Sequence, residues 1–124
     1  MRRHPEKLRQ AGIGPARYAE LRAICRGYRD LKRDLERARL GVGDGARYSA
    51  GARGHAEAAA ARVKMIEAAA EAAAGRVIAP AIIESVTQGK QPGQLRRRAP
   101  VNERDFYGMR LAFYIQLNEM LWAK

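Results

Sequence analysis

The stretch from residue 81 to 121, "AIIESVTQGKQPGQLRRRAPVNERDFYGMRLAFYIQLNEML", decides how this chain is read. It spells a helix that stops at Gly89, a short basic segment opened by Pro92, a tight turn at Pro100, and a long helix beginning after Asn102. Asn102 stands where an N-cap belongs, since its side-chain oxygen can accept a hydrogen bond from a free backbone N–H of the first turn. Asp105 occupies the third helical position, as in a shortened capping box, and Glu103 and Asp105 both suit the positive end of the helix dipole. Leu95, Ala99, Val101, Phe106 and Met109 are apolar or small, the pattern two short helices need when they cross around a very small shared core. Spacing, capping and charge therefore agree on a helix-turn-helix, a motif that holds duplex DNA.

The residues of that motif divide by task. The first turns of the second helix enter the major groove in such a fold, which nominates Asn102, Glu103, Arg104, Tyr107 and Gly108 as base-reading positions. A bidentate contact from Arg104 to a guanine edge would supply about 1–3 kcal/mol of discrimination. Asn102 could read adenine, although capping competes for the same amide. Gly108 would let the helix approach the groove closely. Lys90, Gln94, Arg96, Arg97, Arg98 and Arg110 are placed to touch phosphates and fix register.

Working outward, the same helix carries Phe106, Met109, Phe113, Leu117 and Met120 on one face, and Leu111, Ile115 and Trp122 on another. The second stripe needs a cover, either the N-terminal helix or a second copy of the chain. Upstream, Pro80 is expected to start a helix with Ile82, Ile83 and Val86 as apolar contacts, ended by Gly89 as a left-handed C-cap. Residues 55–77 are alanine-rich and read as a helix by propensity. Val63, Ile66, Ala70, Ala73 and Val77 form its thin apolar face, with Gly75 weakening the last turn. Residues 41–54 hold five glycines and read as a loop.

At the other end, Pro15 opens a helix expected to run through residue 40, about 39 Å at about 1.5 Å per residue. Tyr18, Leu21, Ile24, Cys25, Tyr28, Leu31, Leu35 and Ala38 form its apolar stripe. Its other faces carry interleaved bases and acids, among them Arg22 and Arg26, which read as a solvated surface. Residues 1–14 read as a mobile arm. The expected architecture is all-α, four to five helices in one domain. The long N-terminal helix packs on the alanine-rich helix, and together they support the C-terminal motif.

Length and charge bound the function. The chain of 124 residues carries a net charge of +11, a field that favours phosphate polymers or anionic membrane surfaces. Residues 1–40 contribute +7, residues 41–86 contribute 0 and residues 87–124 contribute +4. Cys25 is the sole cysteine, so an internal disulfide and a thiolate zinc cluster are excluded. His4 and His55 lack ligand-spaced partners, so no metal and no cofactor is expected. No catalytic constellation and no phosphate-cradling loop stands out, and an enzyme is not expected. The start "MRRHPEK" lacks an apolar stretch typical of a secretory signal, and no apolar run reaches membrane-spanning length. A cytoplasmic protein without membrane contacts is the expectation.

The segment 86–117, "VTQGKQPGQLRRRAPVNERDFYGMRLAFYIQL", resembles the C-terminal DNA-binding region of sigma-type transcription factors and, more closely, small prophage-encoded regulators of the ArpU and RinA type. Their recognition helix often carries an aromatic pair such as Phe106–Tyr107. The stretch 18–38, "YAELRAICRGYRDLKRDLERA", is similar to the first helix of small phage-associated proteins of this architecture. The resemblance implies a transcriptional regulator bound to double-stranded DNA, with RNA polymerase and a second copy of the chain as candidate partners. The chain departs from that pattern at Pro100, where the turn usually has glycine, at Arg96, where a small residue is usual, and at Gly93. A small terminase-like packaging protein and a non-DNA assembly or adaptor protein are the alternative expectations.

Overall fold

The computed structural model describes residues 4–40, 50–95 and 99–122. All regular structure among them is helical: α1 (Glu6–Gln10), α2 (Pro15–Arg26), α3 (Tyr28–Leu40), α4 (Ala50–Gln88), a 3-10 turn (Pro92–Leu95) and α5 (Glu103–Trp122). The expected all-α class is what the chain adopts. One apolar core draws on every one of the five helices and the turn.

Residues 4–14 are not a free arm. α1 closes on Gly12, whose φ of 81° is a left-handed conformation that glycine adopts without strain. The Gly12 N–H then bonds the Arg9 carbonyl at 3.0 Å, and the Ile13 N–H bonds the Leu8 carbonyl at 2.8 Å. This is a Schellman arrangement, and its usual apolar contact is present, because Leu8 and Ile13 are both fully buried. His4 adds a bond from Nε2 to the Ile13 carbonyl at 2.6 Å. The segment becomes a strap that packs against α5.

Pro15 does open α2 at its first turn, but the expected single helix through residue 40 is two. Gly27 interrupts it with ψ relaxed to −7°, at the residue with the weakest propensity in the run. The apolar stripe survives the break: Leu21, Cys25 and Tyr28 are buried, and Tyr18, Ile24, Leu31 and Leu35 pack around them.

The alanine-rich helix and the helix expected to start at Pro80 are one segment, α4, bent at Gly75 (φ 81°, ψ 166°). Pro80 lies within the helix rather than at its start. Its missing N–H would have bonded the carbonyl of Arg76, the residue just after the break. The bend also rotates the register. Val77, expected on the apolar face, is 79% exposed, and the face resumes at Ala79, Ile82 and Val86. Of the expected loop, residues 41–49 lie outside the described residues, and residues 50–54 belong to α4. The partner of the alanine-rich arm includes α3, as the thin face requires. Across that seam the Tyr28 hydroxyl donates to Glu67 Oε2 at 2.8 Å, and Lys32 Nζ reaches the same oxygen at 3.4 Å.

α5 is the central element, touching α4, α2, α1 and the 3-10 turn. Phe106, Phe113, Tyr114 and Leu117 are buried along it. Tyr18 meets Tyr114 edge-on at 5.1 Å, which ties α2 to α5. The second stripe of α5 is covered within the chain only in part: Leu111 and Ile115 pack on the core, while Trp122 stays 41% exposed, with the Arg17 guanidinium over its ring at 3.8 Å.

Candidate nucleic-acid interface

Gly89 ends α4 with φ 71°, and its N–H bonds the Ser85 carbonyl at 2.9 Å. The short basic helix expected from Pro92 is a 3-10 turn, Pro92–Leu95. The Ala99 N–H bonds the Leu95 carbonyl at 2.9 Å. Pro92 and Gly93 are poor helix formers, which accounts for a 3-10 turn at Pro92–Leu95 in place of an α-helix. The chain then reverses around Pro100, where the Val101 N–H bonds the Ala99 carbonyl at 2.7 Å. This three-residue turn suits the fixed φ of proline. Leu95, Ala99 and Phe106 are buried beneath it.

Asn102 caps α5 as its sequence position implies. Its Oδ1 accepts the Asp105 N–H at 2.8 Å, and its Nδ2 donates to Asp105 Oδ2 at 3.1 Å. Both ends of the amide are engaged, so the cap, not adenine recognition, defines its resting role. Glu103, Arg104 and Asp105 are exposed, and Tyr107 and Gly108 are half-buried. A Cβ at Gly108 would meet nothing within 4 Å. The first turn of α5 is thus held outward by Phe106 beneath it, with Arg104 flanked by two acids.

The expected phosphate contacts separate into distinct groups. Lys90 Nζ is paired with Glu84 at 2.9 Å and is not free for an anion. Gln94 Oε1 accepts the Gln91 N–H at 2.8 Å and braces the turn. Arg96, Arg97 and Arg98 lie outside the described residues. Arg110 is fixed from two sides: it stacks over Tyr107 at 4.6 Å, and its Nη1 donates to Ser85 Oγ at 3.2 Å. Tyr107 in turn directs its hydroxyl to Gln91 Oε1 at 3.4 Å.

Two residues read as a solvated face come to the same place. Arg22 and Arg26 of α2 line a cleft of about 440 Å³ with Arg110, Ser85, Gln91 and Tyr114. A second hollow of about 520 Å³ shares Tyr18, Arg22 and Arg110 with it and extends to the strap at His4. The sequence signal was the i,i+4 pair Arg22 and Arg26 in register with Tyr18, bordering the apolar stripe. Tyr114, buried at the cleft floor, has its phenol pushed far above the usual range by burial, with Cys25 and Tyr18 adding to the rise and Arg110 and Arg22 opposing it.

Among the described residues, no group of three or more His, Cys, Asp or Glu is arranged to hold a metal ion, and no helix is long and apolar enough to cross a membrane. Cys25 is buried, and burial pushes its thiol up to about 12, the property of a packing residue rather than a nucleophile. Comparisons of the chain with known protein families, curated proteins and solved structures return no match.

Proposed function

We propose that the chain binds double-stranded DNA in a sequence-specific manner, as a transcriptional regulator of the phage type. The observation that carries this reading is the start of α5. A capped helix N-terminus projects from the core behind the Pro100 turn, with Asn102, Glu103 and Arg104 exposed. Arg104 would read a guanine edge, and Glu103 could accept from cytosine N4. Arg96, Arg97 and Arg98 precede the helix in sequence, and Arg110 follows two turns into it; these would neutralise the backbone. The regulatory role, and RNA polymerase or a second copy as partners, rest on the resemblance of residues 86–117 to the ArpU and RinA type.

A selection from random duplexes, followed by binding measurements with variants, tests the reading. Arg104→Ala is expected to lose sequence preference by about 1–3 kcal/mol. Arg97→Ala should weaken specific and random duplexes alike, and reduce the salt slope by about 1. If both variants bind selected and random duplexes as the wild type does, the proposal is refuted.

A further inference from the structure

Three guanidinium groups share the cleft between α2, the end of α4 and α5, and no carboxylate lines it. Among the described residues, Arg22, Arg26 and Arg110 have no acidic group within ion-pair distance. Converging like charges oppose one another, so such a cluster is stabilised by an anion of matching charge. The obvious internal partner is the C-terminal end of α4, whose carbonyls carry partial negative charge. Part of that end is already satisfied. The Gly89 N–H takes the Ser85 carbonyl, and Ser85 Oγ donates to the Lys90 carbonyl at 2.8 Å.

The cleft is also built rather than incidental. Arg110 is locked by Tyr107 and by Ser85 Oγ, a hydroxyl that accepts from the arginine while donating to Lys90. Arg22 lies over Tyr18 at 5.5 Å, and Tyr18 is itself fixed edge-on against buried Tyr114. A guanidinium carries five N–H donors, so contact with a ring, and for Arg110 one bond to Ser85, leaves others for a phosphate oxygen.

We propose that this cleft is a phosphate-binding site in which Arg22, Arg26 and Arg110 grip the phosphate of a nucleotide unit. That unit is either a free mononucleotide or one phosphodiester of a polynucleotide. The site involves residues of α2 that contribute nothing to base reading by α5, and it stands whether or not α5 reads sequence.

The test uses the full chain and two double variants that remove equal charge: Arg22→Gln with Arg26→Gln in the cleft, and Arg29→Gln with Arg37→Gln on the exposed face of α3. Deoxyadenosine monophosphate, inorganic phosphate and a random duplex are titrated at fixed salt while backbone amide resonances are followed. The wild type is expected to give saturable shifts at residues 85–91 and 110 with the mononucleotide or the duplex. Response to the mononucleotide identifies a free nucleotide as the ligand, and response to the duplex alone identifies a polymer phosphate. The cleft variant should lose about tenfold in affinity for the responding probe, and the α3 variant less than about twofold. Equal losses in the two variants would mean a general field effect and overturn the proposal. So would the absence of shifts at those residues with all three probes. Either result leaves the Arg104 test of base reading unaffected.

Discussion

Replacing Gly75 by alanine distinguishes a bent α4 from a straight one by the sign of the effect. In an uninterrupted alanine-rich helix, glycine to alanine would stabilise by about 0.5–1 kcal/mol. Gly75 instead holds φ 81° and ψ 166°, a region populated almost solely by glycine and costing about 1–3 kcal/mol for other residues. A Cβ there would meet nothing within 4 Å, so the penalty is confined to the backbone. Reduced freedom of the unfolded chain returns about 0.4–1 kcal/mol, leaving a net loss of about 1–2 kcal/mol. Straightening the helix offers no escape, because it would rotate Ile82 and Val86 away from the core they fill. With about 3–5 °C per kcal/mol at this chain length, Tm should fall by about 3–10 °C. Gly108→Ala is the companion, since Gly108 lies inside α5 with no positive φ and open space at its Cβ. It should gain about 0.5–1 kcal/mol. Thermal and urea unfolding followed by far-UV circular dichroism reads both. A rise in Tm for Gly75→Ala, matching that of Gly108→Ala, would refute the bend and the register assigned to residues 76–88.

Asn102→Ala removes the bond to the Asp105 N–H and should destabilise by about 1 kcal/mol, whereas Asn102→Asp, which keeps an acceptor at the cap, should recover part of that loss, as read from urea midpoints. The Cys25 thiol, pushed by burial up to about 12, should resist a thiol reagent in the native state and react along the same urea curve as unfolding; rapid labelling without denaturant would contradict its place in the core. Burial, and then the bond to Glu67, holds the Tyr28 hydroxyl above its ordinary 10.0. The bond that Lys32 donates to the Tyr28 oxygen is the first cause holding Lys32 above 10.5. Both groups keep their protons more tightly folded than unfolded, so their contribution is complete below about pH 10 and is lost as pH rises through the raised values. The urea midpoint should therefore fall in that alkaline window, and Tyr28→Phe should flatten part of the fall; an unchanged profile would remove the α3–α4 contact from the account.

The parts of the fold that could be read in the sequence were those whose cause is local. The Asn102–Asp105 cap and the Pro100 reversal depend on residues within a few positions of each other, and both are in place. Gly75 was visible but ambiguous. Within an alanine run a glycine weakens or breaks a helix, and only the burial of Ile82 and Val86 against α5 decides which. The strap is hard to read from sequence because five helical residues carry no period. Its signal was Leu8 four residues before Gly12 and five before Ile13, the spacing of a Schellman motif with its apolar contact. On α2 alone Arg22 and Arg26 belong to a solvated face. Their meeting with Arg110 depends on how α2 lies across α5, which no local pattern specifies.

That tertiary relation brings basic residues from both ends of the chain, Arg22 and Arg26 with Arg110, to one cleft. The residues through 40 carry +7 and those from 87 carry +4. Packing, not charge, brings these arginines together, since like charges repel. Tyr18 on α2 and Tyr114 on α5 meet in the core, and that contact fixes Arg22 and Arg110 as neighbours. The neutral α4 serves as the scaffold and brings Ser85 to orient Arg110. Substituting either tyrosine would disturb packing and cationic surface together and could not separate them. Substituting Arg22 and Arg26, exposed and without an ion pair among the described residues, removes charge while leaving the aromatic contact intact. The repulsion stored in the cleft is then the quantity that an arriving phosphate relieves.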